Sequence, residues 1–286
     1  MEALQPGEYD AQINGIKIHY SIRGSGPVIM AHSGGPGADA RSWGDFAGIG
    51  EFATIVSIHP RGSGLSENSP DNAYALSDYA ADLEALRVLL DLEKPTILGW
   101  SHGGIVAQQY AFTYPDALSK LILFDTAAYL AEFIGDIEAS VRAYEHEPWF
   151  SDSFAALQKE WNGEYETDED MSALWAEMMK FYFREFDERA VAYHEATKDY
   201  KMRIDSLRQF NEFAETMDLR PMIRNISVPT LVIAGRHDFI TTVDMAEEMV
   251  RHIPGARLEI FEQSGHFALV EEPGKFNQVI RDFVLS

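Results

Sequence analysis

Cysteine is absent from the 286-residue chain, which excludes disulfides, a thiolate nucleophile and any Cys-ligated metal. Positive charge is scarce. Lys and Arg number 23 against 46 Asp and Glu, for a formal charge of −23. So acidic a surface repels nucleic-acid phosphates and anionic lipid headgroups, and neither nucleic acid nor a membrane is expected as a partner. The same charge favours solubility and would attract cationic substrates, such as peptides with a free amino terminus. No apolar run approaches the length of a membrane span. Residues 1–9 lack the basic and apolar regions of a signal peptide, so a cytoplasmic protein is expected. The motifs of bound metals and dinucleotides are missing too. There is no His-Glu-x-x-His, no other compact ligand cluster, and no Gly-x-Gly-x-x-Gly followed by an acid at dinucleotide spacing. Neither a metal nor a cofactor is expected. Internal repeats and low-complexity tracts are also lacking.

What is present centres on Ile97-Leu98-Gly99-Trp100-Ser101-His102-Gly103-Gly104. An apolar run enters Gly-x-Ser-x-Gly-Gly and a helix-like run, 105–114, leaves it. This is the strand, sharp turn and helix that a nucleophile elbow requires. Gly99 and Gly103 let neighbouring backbone pass close to the turn. The helix would aim its free N–H groups at the point where negative charge develops in acyl transfer.

The remaining pattern is that of an α/β domain large enough for its own core, with 46% hydrophobic residues. Residues 10–22 read as a hairpin around Asn14-Gly15, the preferred type I′ pair. Residues 28–31 read as a buried strand running into His32-Ser33-Gly34-Gly35-Pro36-Gly37, a Gly-rich loop where open α/β sheets bind ligands. Strands are expected at 52–58, 118–124, 228–234 and 257–261. Helices are expected at 77–90, with Ser77 as N-cap and Leu83, Leu86, Val88, Leu89 and Leu90 on its apolar face, at 242–252, and at 273–284. Between 131 and 219 the chain is acidic and aromatic, with apolar residues at helical spacing and no convincing strand. The expected fold is a mostly parallel sheet with helices on both faces. Residues 1–130 and 220–286 would form the core domain, and 131–219 an inserted all-helical cap.

A serine hydroxyl needs a histidine to take its proton and an acid to orient that histidine. Ser101, Asp238 and His266 follow one another in the chain order of α/β-hydrolases. Asp238 ends Gly235-Arg-His-Asp after one expected strand, and His266 ends Ser264-Gly-His after the next, so all three fall on one rim of the sheet. Asp125, also just past a strand, is the alternative acid. Two backbone donors are needed for an oxyanion. The N–H of His102 is the first candidate. Gly35, with Gly34 as second choice, is the other. Trp100 adjoins the nucleophile and is a candidate substrate contact. Glu271 and Glu272 read as solvated residues ahead of the last helix, and Arg61 as a brace between loops.

Over nearly its whole length the chain resembles the α/β-hydrolase superfamily, and within it the proline iminopeptidase branch of serine peptidases. The resemblance is carried by Gly34-Gly35-Pro36-Gly37, Arg61-Gly-Ser-Gly-Leu-Ser66, the elbow, Gly235-Arg-His-Asp238 and Ser264-Gly-His266. It implies that cap and acid-loop glutamates hold the substrate's amino terminus. Glu212, in Asn211-Glu212-Phe213, matches the first. Phe239 stands where the second is often found and makes that wall apolar, and Ser33 replaces the histidine that usually opens the Gly-rich loop. The implied activity is an aminopeptidase acting on small peptides or amides. An esterase or lactonase on small acyl substrates, including acyl-homoserine lactones, is the alternative that Phe239 favours. A slow-turnover ligand receptor on the same fold is a third reading.

Overall fold

The computed structural model describes residues 4–130 and 137–286. The expected start of the cap at Ala131, and the first three residues, lie outside them. The fold is built on one eight-stranded sheet in the order β1-β2-β4-β3-β5-β6-β7-β8. β1 (Gly7–Ile13) and β2 (Ile16–Gly24) form the antiparallel hairpin. Asn14 and Gly15 turn it with φ of 48° and 86°, as a type I′ pair requires. β2 lies antiparallel to β4 (Thr54–Ile58). From there β4, β3 (Val28–His32), β5 (Thr96–Trp100), β6 (Lys120–Phe124), β7 (Thr230–Gly235) and β8 (Arg257–Phe261) run parallel.

β4, β5 and β7 are buried at every residue, which is why their sequences are continuous apolar runs. Alternate residues feed two cores. Met30, Val56, Ile97 and Leu121 face one layer, with Leu83 and Leu86 of α1 (Leu76–Leu89) and Val106 and Tyr110 of α2 (His102–Thr113). Ile29, Ile55, Leu98 and Ile122 face the other. Its cover comes from Trp43, Phe46 and the last helix. Both faces are therefore closed by the period of two that strands impose.

Helix α1 corrects two expectations. Its N-cap is Ala75, whose N–H donates to the Asp78 carboxylate at 2.9 Å, and Ser77 lies inside the first turn. Val88 and Leu89 are exposed, because the buried stripe runs through Leu76, Tyr79, Ala80, Leu83 and Leu86 and leaves the last turn's outer face to solvent.

Between β6 and β7 the described residues form helices: α3 (Ile137–Arg142), α4 (Phe150–Trp161), α5 (Asp168–Met178), a 3-10 turn (Met179–Tyr182), α6 (Glu188–Thr197) and α7 (Ile204–Ala214). They share a core of their own around Leu157, Met171, Met178, Phe181 and Leu207. The two ends of this segment meet at one bridge, Tyr129 to Asp218, beside a 2.8 Å hydrogen bond from the Leu219 N–H to the Ala128 carbonyl. The short α8 (Arg220–Ile223) leads back to the sheet. α9 (Val243–His252) follows β7, and α10 (Ala268–Glu271) and α11 (Pro273–Leu285) follow β8. Among the described residues no helix is long and apolar enough to cross a membrane.

Candidate active site

Ser101 sits between β5 and α2 with φ 54° and ψ −121°, a conformation that costs a non-glycine residue roughly 1–3 kcal/mol. The neighbouring glycines make room for this turn. A Cβ on Gly99 would lie 2.2 Å from the Gly103 carbonyl oxygen, and one on Gly103 would lie 2.3 Å from that of His32. The turn is tied to the next strand by a 2.9 Å hydrogen bond from the Ser101 N–H to the Phe124 carbonyl. His102 opens α2, so its N–H is one of the first-turn donors that no helical carbonyl can reach. Gly34 and Gly35 lie across the site, and a Cβ on Gly34 would stand 3.0 Å from the Ser101 Cβ.

His266, on the loop after β8, places Nδ1 2.6 Å from Asp238 Oδ2, with both side chains almost wholly buried. The carboxylate of Asp238 is fully engaged. Oδ1 accepts the N–H groups of Ile240 and Thr241 at 2.9 and 3.0 Å, and Oδ2 accepts the Thr241 hydroxyl at 2.6 Å besides His266. With Nδ1 turned to this carboxylate, Nε2 is the ring nitrogen left for other partners. The histidine loop is fixed by its own N–H, donated to the Tyr182 carbonyl at 2.7 Å.

Asp125 lies beside this pair but is not the partner of His266. Oδ1 accepts the Gly235 N–H at 2.8 Å, and the buried Oδ2 has no partner. Burial and the neighbouring Asp238 charge push its carboxyl well above the usual carboxylate range. The His102 ring is buried with its edge against Tyr79 and Phe210, each 5.1 Å away between centroids, and burial lowers it to about 3. Its side chain is therefore a neutral packing group. Arg61 pairs with Asp82 at 2.7 Å and donates to the Ala73 carbonyl, bracing its loop against α1.

Glu271 is a correction. It was expected to be solvated; it is 8% exposed. Its Oε1 accepts the Arg184 N–H and its Oε2 the Gly265 N–H, both at 2.8 Å. One carboxylate thus joins the helical segment to the histidine loop. Burial pushes it up to about 7 despite these donors. Glu272 likewise turns inward, accepting from the Gln263 N–H and the Ser264 hydroxyl. The chain folds back after β8, and an acid just ahead of a helix in sequence gives no sign of that return.

A cavity of about 480 Å³ opens over Ser101, large enough for a small-molecule ligand. Gly34, Gly35, Trp100, His102 and His266 also line it, so the structure brings these predicted residues together. Glu212 and Phe239 are not among the lining residues. On α7 the cavity positions are Leu207, Phe210, Asn211 and Ala214, one helical face, and Glu212 lies about 100° round from Asn211 and is exposed. Phe239 packs against Tyr182 and Phe181 in the core of the helical segment, while Ile240 and Thr241 reach the cavity.

Sequence reasoning missed Glu160. It lines the cavity at the end of α4, its carboxyl makes no hydrogen bond or ion pair among the described residues, and burial raises that carboxyl. The lysine on the same wall, Lys201, is taken by Glu169 at 3.0 Å. Helical spacing alone does not say which face of α4 looks inward, so the sequence held no signal for this residue.

Comparison with known proteins shows the family. A family described as alpha/beta hydrolase fold matches residues 27–273. A protein named proline iminopeptidase from Saccharolobus solfataricus is 27% identical over 292 residues, covering 96% of this chain and 90% of that protein. A 2-hydroxy-6-oxononadienedioate/2-hydroxy-6-oxononatrienedioate hydrolase from Pseudomonas putida is 27% identical, covering 98% and 94%. Among solved structures, an enol-lactonase from Burkholderia xenovorans LB400 superposes with a TM-score of 0.75 at 23% identity, covering 97% of this chain and all of that one, which shows a shared fold.

Proposed function

Because the chain belongs to the alpha/beta hydrolase fold family, we propose that it is a serine hydrolase working through Ser101, His266 and Asp238. Ser101 Oγ attacks the substrate carbonyl carbon while His266 Nε2 takes its proton. Asp238 holds the imidazole and stabilises the imidazolium that forms. The oxyanion is met by the N–H groups of His102 and Gly35, with Gly34 the second choice. Each such donor is worth about 3–4 kcal/mol in the transition state. Collapse of the tetrahedral intermediate breaks the acyl bond, and the imidazolium returns its proton to the leaving group. Water then attacks the acyl-enzyme by the same route. The helical segment acts as a cap, roofing the acyl group with apolar side chains.

The substrate class rests on Glu160. A carboxyl without a partner on an apolar wall is expensive to ionise, and a bound ammonium would remove that cost. The proposed substrate is an amide or small peptide with a free amino terminus, as in the proline iminopeptidase reading, with Glu160 rather than Glu212 as the amine's partner. The identity to a protein of that name supports this reading. The competing reading, an ester or lactone with an apolar acyl group, is favoured by one observation: Glu212 and Phe239, the positions of the expected amine clamp, do not line the cavity.

The test is kcat/KM for prolyl-p-nitroanilide, alanyl-p-nitroanilide, their N-acetyl forms, p-nitrophenyl butyrate and an acyl-homoserine lactone. The free amines are expected to lead their N-acetyl forms by about tenfold or more, the worth of one charge-assisted contact. In Glu160→Gln that preference is expected to vanish through KM. A lactone or ester lead with inert amides would replace the aminopeptidase reading by the second one.

A further inference from the structure

We propose that Asp125 is a reserve acid built beside the triad: a positioning residue that stays protonated while Asp238 holds His266, and orients His266 itself once Asp238 is gone. The proposal rests on the triad reading above. Its geometric basis is a cluster in which one ligand atom each from Asp125, Asp238 and His266 lies within 4.8 Å of the others, all three residues buried. Asp125 reaches it from the end of β6 and Asp238 from the loop after β7, the neighbouring strand. The two carboxyls are provided for very differently. Asp238 accepts four hydrogen bonds, one of them from His266. Asp125 accepts one, from the Gly235 N–H, and leaves Oδ2 bare. Burial and the neighbouring Asp238 both raise the cost of ionising Asp125, whose one hydrogen bond from Gly235 offsets little of it.

Asp125 is also held in place at some expense. Its φ is 41°, in the left-handed region, and its N–H is tied to the Ile233 carbonyl at 2.9 Å. A residue needed only to end a strand has no use for a buried carboxyl oxygen without a partner. The charged groups acting on it are Asp238 from the β7 loop and Glu271 from α10, with His266 from the β8 loop as the remaining titratable neighbour. Both carboxylates oppose its ionisation. Removing Asp238 takes away the larger repulsion and the acceptor of His266 Nδ1 together. Asp125 then gives its proton to solvent, and its bare Oδ2 accepts from Nδ1. One carboxylate oxygen of Asp125 and one ring nitrogen of His266 already lie within 4.8 Å of each other, so a short side-chain movement brings the two groups into contact.

The experiment uses the full chain and p-nitrophenyl butyrate as probe. It compares kcat/KM of wild type, Ser101→Ala, Asp238→Ala and Asp125→Asn/Asp238→Ala from pH 6 to 10. Asp238→Ala is expected to fall far below wild type yet stay about tenfold or more above the double variant. That advantage is expected to grow with pH, as Asp125 ionises. Equal rates in the two variants, or a ratio that does not change with pH, would overturn the proposal. Wild-type activity surviving in Ser101→Ala would instead overturn the triad reading, so the two failures are distinct. Carboxyl carbon NMR of Asp-labelled wild type supplies a second measurement that needs no variant at Asp238. A buried aspartic acid still protonated at pH 7, whose signal is lost in Asp125→Asn, is expected. Full ionisation of every aspartate at that pH would overturn it.

Discussion

Two walls enclose Ser101, and they differ in how tightly sequence specifies them. The floor is made of loops at the carboxyl edge of the sheet, holding Gly34, Gly35, His102, Asp238 and His266. Each lies shortly after the carboxyl end of a strand, so its place depends on strand order. The roof is made of helix faces. There a rotation of about 100° separates one residue from the next, and packing between helices decides which of them looks inward. On α7 that difference separates Asn211, which lines the cavity, from Glu212, which does not. Residues at strand ends take their places from a strand order the chain spells out; residues on helix faces depend on contacts that no local pattern states.

The largest expected effect breaks the floor. Ser101→Ala should lower kcat by about 10⁴-fold or more on every substrate, read from initial rates. Retained activity would show that the floor's chemistry was misassigned. Next comes the architecture behind it. Gly103→Ala puts a methyl group 2.3 and 2.4 Å from the backbone oxygens of His32 and Ser33, with no flexible side chain to yield. A loss of about 3 kcal/mol or more is expected in urea unfolding. A normal unfolding midpoint would mean that the elbow tolerates backbone movement.

The joint between the walls is tested by pH. Glu271 rises from its ordinary 4.5 to about 7 on folding. A raised carboxyl contributes stability that is full below about 4.5 and is lost as pH climbs through about 7. Its share is on the order of 3 kcal/mol. The melting temperature of the wild type should therefore fall more steeply over this window than that of Glu271→Gln, in which the group cannot titrate. Parallel curves would place Glu271 in a more solvated setting. The smallest effect sharpens the contrast within the roof. Glu212→Gln should change kcat/KM by no more than about twofold and stability by less than about 0.5 kcal/mol. A large rise in KM would return the amine contact to Glu212.

The legible part of the molecule was the part governed by short-range rules. Asn14-Gly15 marked its hairpin, the continuous apolar runs marked β4, β5 and β7, and the Gly-x-Ser-x-Gly-Gly turn marked the elbow. Ends were harder. β4, β6 and β7 begin later than their apolar runs, because Phe52, Leu118 and Val228 pack against the core or its edge before the backbone joins the sheet. Ala75, not Ser77, is the N-cap; it has no side-chain acceptor for the first turn and is itself held by Asp78, which accepts its N–H. Glu160 and Glu271 were missed for a shared reason. A buried carboxyl and a solvated one look alike in a sequence until a distant segment closes over one of them.

The neck formed by Tyr129 and Asp218 has a consequence for how such a protein can change. Since the helical segment leaves and rejoins the sheet at one place, the sheet meets it as a single long loop. The entropy of closing a loop grows by only about 0.6 kcal/mol for each doubling of its length. The segment can lengthen, shorten or be exchanged with little thermodynamic penalty at its base. It is tied to the base elsewhere too, as by the Arg203 N–H on the Gly37 carbonyl, but at Tyr182 and Arg184 its backbone holds the loop of His266 itself, directly and through Glu271. A transplanted roof would fold onto this base, but it would have to bring its own pair of backbone groups to that spot before the histidine beneath it was held in place.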